Sequence, residues 1–236
     1  MKIGIIAGSG KFPLLIAKQN ENAFVLCLKG HSDSKSFKNK STNVSLLNPD
    51  ICIEILKQEA VSHIVFAGKI NRPKINDQPL SVNAKKLISQ ISNVGDNSAV
   101  NIMENFFKKS GFNIIPIKSI INNCFFSKGF HSEIDISIKL KEYIKKSADL
   151  GISLLNTLSK FDIGQAAVIS ADYVYAIEGP EGTDLMVERA SKLSLNSINS
   201  YDFGPVLVKI PKIKQNRNLD LPVIGIKTVK KCLKFG

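Results

Sequence analysis

Over its first seventy residues the chain alternates short apolar runs with amphipathic stretches, and this alternation constrains the fold more than any other feature. Lys2–Ala7, Ala23–Leu28 and His63–Ala67 are strand-length apolar runs. Phe12–Gln19 and a stretch opening at Pro49, with Asn48 as its N-cap, carry helical spacing. Asn43–Leu47 is a further candidate strand. Strands this apolar are buried on both faces, and strands joined through helices cross over to lie parallel. Helices are expected around Val82–Ile91 and Ser98–Ser110, followed by a strand at Phe112–Ile115.

The pattern changes after about Ser127. Glu133–Leu158 reads as one long helical stretch, with Ile134, Ile138, Leu140, Ile144, Ala148 and Ile152 near helical spacing. Two strands follow, Ala166–Ser170 and Tyr173–Glu178, then a glycine-rich acidic loop, a helix at Thr183–Leu193 and a strand at Val206–Ile210. A polar segment and a short helix end the sequence. The fold class is therefore α/β: an N-terminal Rossmann-like parallel-sheet domain over residues 1–129 and a second α/β domain over 130–236 that carries the acidic motifs. The 236 residues are enough for two small domains, each with a core.

Charge narrows the partners. With 32 Lys+Arg against 20 Asp+Glu the net charge is +12, which favours anionic ligands: phosphorylated substrates, anionic headgroups or nucleic acid. No basic-aromatic motif accompanies the charge, so nucleic acid is not expected as a partner. Lysine pairs such as Lys108–Lys109 and Lys145–Lys146 also read simply as solvated helix faces. Cys27, Cys52, Cys124 and Cys232 are widely spaced and form no CxxC, and the three histidines lack metal-ligand spacing. A zinc site and a disulfide framework are thereby disfavoured and a reducing, cytoplasmic compartment is expected, with Cys27 and Cys52 as core residues. No segment has the ~20 apolar residues of a spanning helix, so membrane contact would be peripheral.

Five motifs bear on chemistry. Gly8-Ser9-Gly10-Lys11 sits between a strand and a helix, where backbone N–H groups attract phosphate. Pro13 breaks the dinucleotide fingerprint, the P-loop spacing is wrong, and Leu28-Lys29 supplies no acidic residue at the end of the second strand. A plain βα turn and an anion-binding loop both stay open. Gly68-Lys69-Ile70-Asn71-Arg72 follows a strand at the end where α/β sheets bind ligands; Gly68 permits close approach, and Lys69 and Arg72 offer positive charge to a phosphate. Asp162-Ile163-Gly164-Gln165 precedes a strand. Asp162 suits either a metal or a turn, and Gln165 could contact sugar or base.

The fourth motif is Glu178-Gly179-Pro180-Glu181-Gly182-Thr183-Asp184. Its three carboxylates lie within seven residues, the oxygen-rich chemistry that hard divalent cations prefer. Helix capping by Thr183 and Asp184 is the plainer alternative. In the fifth, Leu219-Asp220-Leu221-Pro222-Val223-Ile224-Gly225, a carboxylate stands among apolar neighbours that raise the cost of its charge unless something compensates it.

Taken together these segments resemble the LpxI-type UDP-2,3-diacylglucosamine pyrophosphatases. The resemblance runs through Ile5–Pro13, Phe66–Pro73, Gly95-Asp96-Asn97, Asp162–Gln165, Glu178–Asp184 and Asp220–Gly225, in family order. It implies two domains with a lipid-linked nucleotide-sugar substrate between them. It also implies hydrolysis of the pyrophosphate to UMP and 2,3-diacylglucosamine 1-phosphate, dependent on Mg2+ or Mn2+. Asp220 takes the role of the critical aspartate. Glu178, Glu181, Asp184 and Asp162 are the candidate metal ligands; Gly8, Gly10, Gly68, Lys69, Arg72, Gln165 and Thr183 are the candidate substrate contacts. The family commonly has a second acidic residue where Asn97 stands, and a further glycine-rich apolar segment is expected past Gly236. The setting implied is the inner face of the cytoplasmic membrane, held peripherally; a homodimer is left open. The rival readings are a non-catalytic nucleotide-sugar or lipid-binding protein and, more remotely, a nicotinamide-dependent oxidoreductase.

Overall fold

A computed structural model of the chain describes residues 1–70, 80–92, 94, 96–121, 124–127, 129–132, 134–194, 203–213 and 222–234. The described residues form two compact units that meet in sequence between Phe126 and Ser127.

In the first unit β1 (Ile3–Ala7), β2 (Phe24–Leu28), β3 (Ser41–Val44), β4 (His63–Ala67) and β5 (Asn113–Ile114) form one sheet in the order β3-β2-β1-β4-β5. All four pairings are parallel, as the alternation of strands and helices predicts. Alternate residues serve the two faces. Ile5, Ala7, Val25, Cys27, Val65 and Ala67 pack with Ile16 and Ala17 of α1 (Phe12–Gln19). Ile6, Phe24, Leu26, Leu28 and Ile64 pack with Cys52 and Leu56 of α2 (Pro49–Gln58) and Phe107 of α4 (Asp96–Lys109). Burial pushes the Cys52 thiol up to about 12, which suits an unreactive core side chain. Between them α3 (Val82–Ile91) is capped by Ser81, whose hydroxyl accepts from the Ala84 N–H.

Two local expectations differ from what is seen. The third strand lies two to three residues earlier than its apolar run, because β3 takes its register from β2, with Val25 opposite Ser41 and Leu28 opposite Val44. Asn48 precedes α2 but makes no side-chain cap; Pro49 opens the helix with its φ already fixed near the helical value.

The second unit is a three-stranded antiparallel sheet in the order β7-β6-β8, built from β6 (Ala166–Ser170), β7 (Tyr173–Ile177) and β8 (Val206–Lys209). The central strand β6 is buried on both faces. Ala167 and Ile169 face α5 (Ile138–Leu158), whose Leu155 joins them with Val208. Ala166 and Val168 face α6 (Thr183–Ser194) through Met186, Val187 and Ala190. The backbone of α5 lies close on β8: a Cβ added at Gly151 would stand 2.8 Å from Val208 Cγ2. The long helical stretch expected from Glu133 begins only at Ile138. Ser137 is its N-cap, accepting from the Leu140 N–H, and Ile134 is exposed. The final helix, α7 (Ile226–Lys234), packs on α6. Among the described residues no helix is long and apolar enough to cross a membrane.

Candidate active site

The glycine-rich loops after β1 and β4 are fastened to each other. The Gly8 N–H donates to the Ala67 carbonyl, and the Ser9 and Lys69 main chains exchange N–H···O bonds at 2.8 and 3.0 Å. Glycine is required for this approach. A Cβ at Gly8 would lie 2.6 Å from the Lys69 carbonyl oxygen, and one at Gly68, where φ is +88°, would lie 2.6 Å from the Ser9 carbonyl oxygen. Two of the three glycines named as candidate substrate contacts, Gly8 and Gly68, therefore have a structural task that accounts for them. Gly10 differs: its φ is +102° and open space surrounds the position a Cβ would take. Arg72 lies outside the described residues.

The antiparallel arrangement of the second unit gathers three segments at one end of its sheet. The chain enters β6 from Asp162–Gln165, leaves β7 into Glu178–Asp184, and leaves β8 toward Lys212; Ala167 stands opposite Ile177, and Ala166 opposite Lys209. The buried carboxylate of Glu178 is the joint between the two motifs. Its Oε2 accepts from the Gln165 N–H at 3.0 Å, and its Oε1 accepts from the Thr183 hydroxyl at 2.6 Å. The Lys209 ammonium donates to that hydroxyl at 2.7 Å. Gly164, at φ +50°, lets the turn close on Glu178: a Cβ there would lie 2.2 Å from the Glu178 carbonyl oxygen.

Asp162 occupies the left-handed region at φ +59°, in keeping with one of the two roles open to it, and Lys212 donates to both its Oδ1 and its carbonyl. Two polar atoms at this turn are buried without a hydrogen-bond partner, Asp162 Oδ2 and Gln165 Oε1. Buried polar groups are nearly always paired, so two orphan oxygens in one four-residue motif mark a place for a donor or a cation.

The remaining carboxylates are engaged elsewhere. Glu181 accepts from Arg189 at 2.8 Å, and that hydrogen bond holds its carboxyl below the usual range. Burial works against the charge of Asp184, yet the Thr228 hydroxyl at 2.7 Å and Lys227 leave its carboxyl below its ordinary value. Among the described residues no three His, Cys, Asp or Glu side chains converge as a metal cage. Asp220 lies outside the described residues.

Lys209 and Lys212 escape a reading by motif. The available signal was the spacing of two lysines around Ile210-Pro211 at the end of a strand; only antiparallel pairing with β6 carries them to the Asp162–Gln165 turn.

Residues 2–124 match the LpxI N-terminal domain and residues 135–236 match the LpxI C-terminal domain. The UDP-2,3-diacylglucosamine pyrophosphatase LpxI of Caulobacter vibrioides is 26% identical over 244 residues, an overlap that takes in 100% of this chain and 85% of the relative. With both domain matches spread across nearly its whole length, the chain belongs to the LpxI family.

Proposed function

We propose that the protein hydrolyses the pyrophosphate bond of UDP-2,3-diacylglucosamine, giving UMP and 2,3-diacylglucosamine 1-phosphate on the route to lipid A. The observation that carries this reading is the cluster in which Glu178 ties the Asp162–Gln165 turn to the start of α6, with Lys209 and Lys212 alongside and two buried oxygens unpartnered. A pyrophosphate brings dense negative charge, and lysine ammonium groups are suited to receive it.

Asp162 Oδ2 and Gln165 Oε1, unpartnered oxygens of the hard class, are the atoms that would hold magnesium at this turn, since Mg2+ is commonly held by one or two carboxylates together with substrate phosphates. When bound, the ion would neutralise charge on the pyrophosphate oxygens. Glu178 has both oxygens committed to hydrogen bonds, which favours a role in holding the turn. Lys212 holds Asp162 in place, and Lys209 orders the Thr183 hydroxyl. Asp220, the position of the family's critical aspartate, is assigned the orientation of the attacking water. Lys69 and Arg72 remain candidate phosphate partners.

The substrate's acyl chains favour a reaction at a membrane surface, and the inner face of the cytoplasmic membrane is the proposed setting. The excess of lysine favours a peripheral hold on anionic headgroups. A UMP-release assay on UDP-2,3-diacylglucosamine, with and without a chelator, tests the reading. Release that stops on chelation and returns with magnesium is expected. Metal-independent binding with no UMP would identify a binding protein, and full turnover after exhaustive chelation would remove the metal.

A further inference from the structure

A cleft of about 350 Å³ opens in the first unit where β1 and β2 end, between the loop that carries Gly10 and the loop of residues 30–37. This is the carboxyl edge of a parallel sheet, where α/β folds bind ligands, and the volume suits one moiety of a ligand rather than a whole lipid-linked substrate. Leu14 and Phe37 offer it apolar surface. Gly10 and Gly30 both have positive φ and nothing within 4 Å of the position a Cβ would take. Two side-chain-free positions thus border the cleft, and neither glycine is explained by packing, in contrast to Gly8 and Gly68.

Asp33 also lines the cleft. Sequence reading finds no acidic residue at the end of the second strand. The structure supplies one a few residues later, after a turn through Gly30. Asp33 Oδ1 accepts from the Lys35 N–H at 3.2 Å, from Asn43 Nδ2 at 3.3 Å and from the Ser34 hydroxyl at 3.5 Å. Oδ2 takes none of these bonds. The Lys35 N–H and Asn43 bonds hold the carboxyl below its usual value, so Asp33 is ionised and purely an acceptor at neutral pH. An acceptor about twenty residues past a glycine loop, at the end of the adjacent strand, is the arrangement by which parallel α/β sheets bind a ribose through its hydroxyls.

We propose that this cleft receives the ribonucleoside half of the nucleotide, with Asp33 Oδ2 accepting from the ribose 2′-hydroxyl and Leu14 and Phe37 bordering the base. The assignment rests on the reading that the substrate is a nucleotide sugar, and it adds which unit and which residue recognise the ribose.

The experiment titrates the full chain with UMP and with 2′-deoxy-UMP by calorimetry, and follows amide shifts by NMR. UMP should bind about five- to tenfold more tightly than the deoxy compound, the discrimination expected of one hydrogen bond to a charged acceptor. Asp33→Asn keeps the Oδ1 acceptor that shapes the turn and replaces Oδ2 with a donor. It should bring UMP binding down to the level of 2′-deoxy-UMP, with far-UV circular dichroism showing that the fold is intact. Shifts should centre on residues 30–37. Equal binding of the two nucleotides to the wild type, no binding of either, or shifts confined to other residues would overturn the assignment, even in a protein that releases UMP from the lipid-linked substrate. Ribose-selective binding in this cleft by a protein that releases no UMP would uphold it and overturn the hydrolytic reading instead.

Discussion

The Glu178 carboxylate receives the Gln165 main-chain N–H at 3.0 Å and, through its other oxygen, the Thr183 hydroxyl at 2.6 Å. One buried side chain therefore sets the position of both motifs that flank it in the fold. Glu178→Ala should destabilise the protein by about 2 kcal/mol, because it strands a part-buried N–H and a hydroxyl. Glu178→Gln, which keeps one acceptor, should cost less. Urea denaturation of the three proteins measures the order, and equal stability of all three would refute it.

The fastening of the loops after β1 and β4 predicts unequal costs at three glycines. Gly68→Ala combines backbone strain with a Cβ 2.6 Å from a carbonyl oxygen, whereas Gly10→Ala meets open space and only the strain of φ +102°. Strain of this kind costs about 1–2 kcal/mol. Gly68→Ala should therefore exceed Gly10→Ala by at least about 1 kcal/mol, with the clash as the difference. Gly8→Ala, which lacks the positive φ but meets the Lys69 carbonyl, should fall between. Chemical denaturation read by far-UV circular dichroism checks the ranking.

Glu181 and Asp184 offer a separation of rate from stability. Their partners Arg189 and Lys227 are largely exposed, so each pair is worth no more than about 1 kcal/mol. With both carboxylates engaged by Arg189, Thr228 and Lys227, Glu181→Ala or Asp184→Ala should leave the melting temperature within a few degrees and UMP release per folded molecule nearly intact; a tenfold fall in rate would return them to the metal role that the family resemblance implies. Turnover that merely tracks the folded fraction would assign both residues to capping and pairing.

Acid should loosen the second unit through the same groups. The carboxyls of Glu181, Asp184 and Glu188 are held below their ordinary values in the folded chain, the first and last chiefly by hydrogen bonds from Arg189 and Lys231. A depressed folded pKa contributes stability that is present above the unfolded value and lost as pH falls through the folded one. Melting temperature should therefore hold near neutrality and drop below about pH 4. Arg189→Gln should flatten the part due to Glu181.

Asp220→Ala should abolish hydrolysis and leave a folded protein that still holds substrate. A group that acts as the barrier is crossed affects kcat rather than ground-state binding. Substrate affinity paired with a single-turnover rate decides the matter. Near-normal turnover would remove Asp220 from the active site.

The parallel sheet was legible because strands buried on both faces are continuous apolar runs, and His63–Ala67 and Val82–Ile91 have the very limits their sequence suggests. Helix onset was less so. Ile134 and Ile138 keep helical spacing, yet both are exposed, and the hydroxyl of Ser137 sets the start of α5. The motifs Asp162–Gln165 and Glu178–Asp184 were legible as segments, but their junction through Glu178 was not, since hydrogen bonding across a sheet leaves no periodicity. Asp33 was missed for a related reason: a turn at Gly30 intervenes, and only the fold places the carboxylate beside the Gly10 loop.

The bridge between Ser9 and Lys69 is made chiefly by main-chain atoms. Its two rungs form an isolated antiparallel bridge just past the end of the parallel β1–β4 ladder, so segments that look like loops are held by main-chain bonds as strands are. Their amide protons should exchange with solvent as slowly as those of the sheet itself. Any ligand that meets the first unit there finds a surface already set, and the charge at position 69 can change in evolution without altering the shape that presents it.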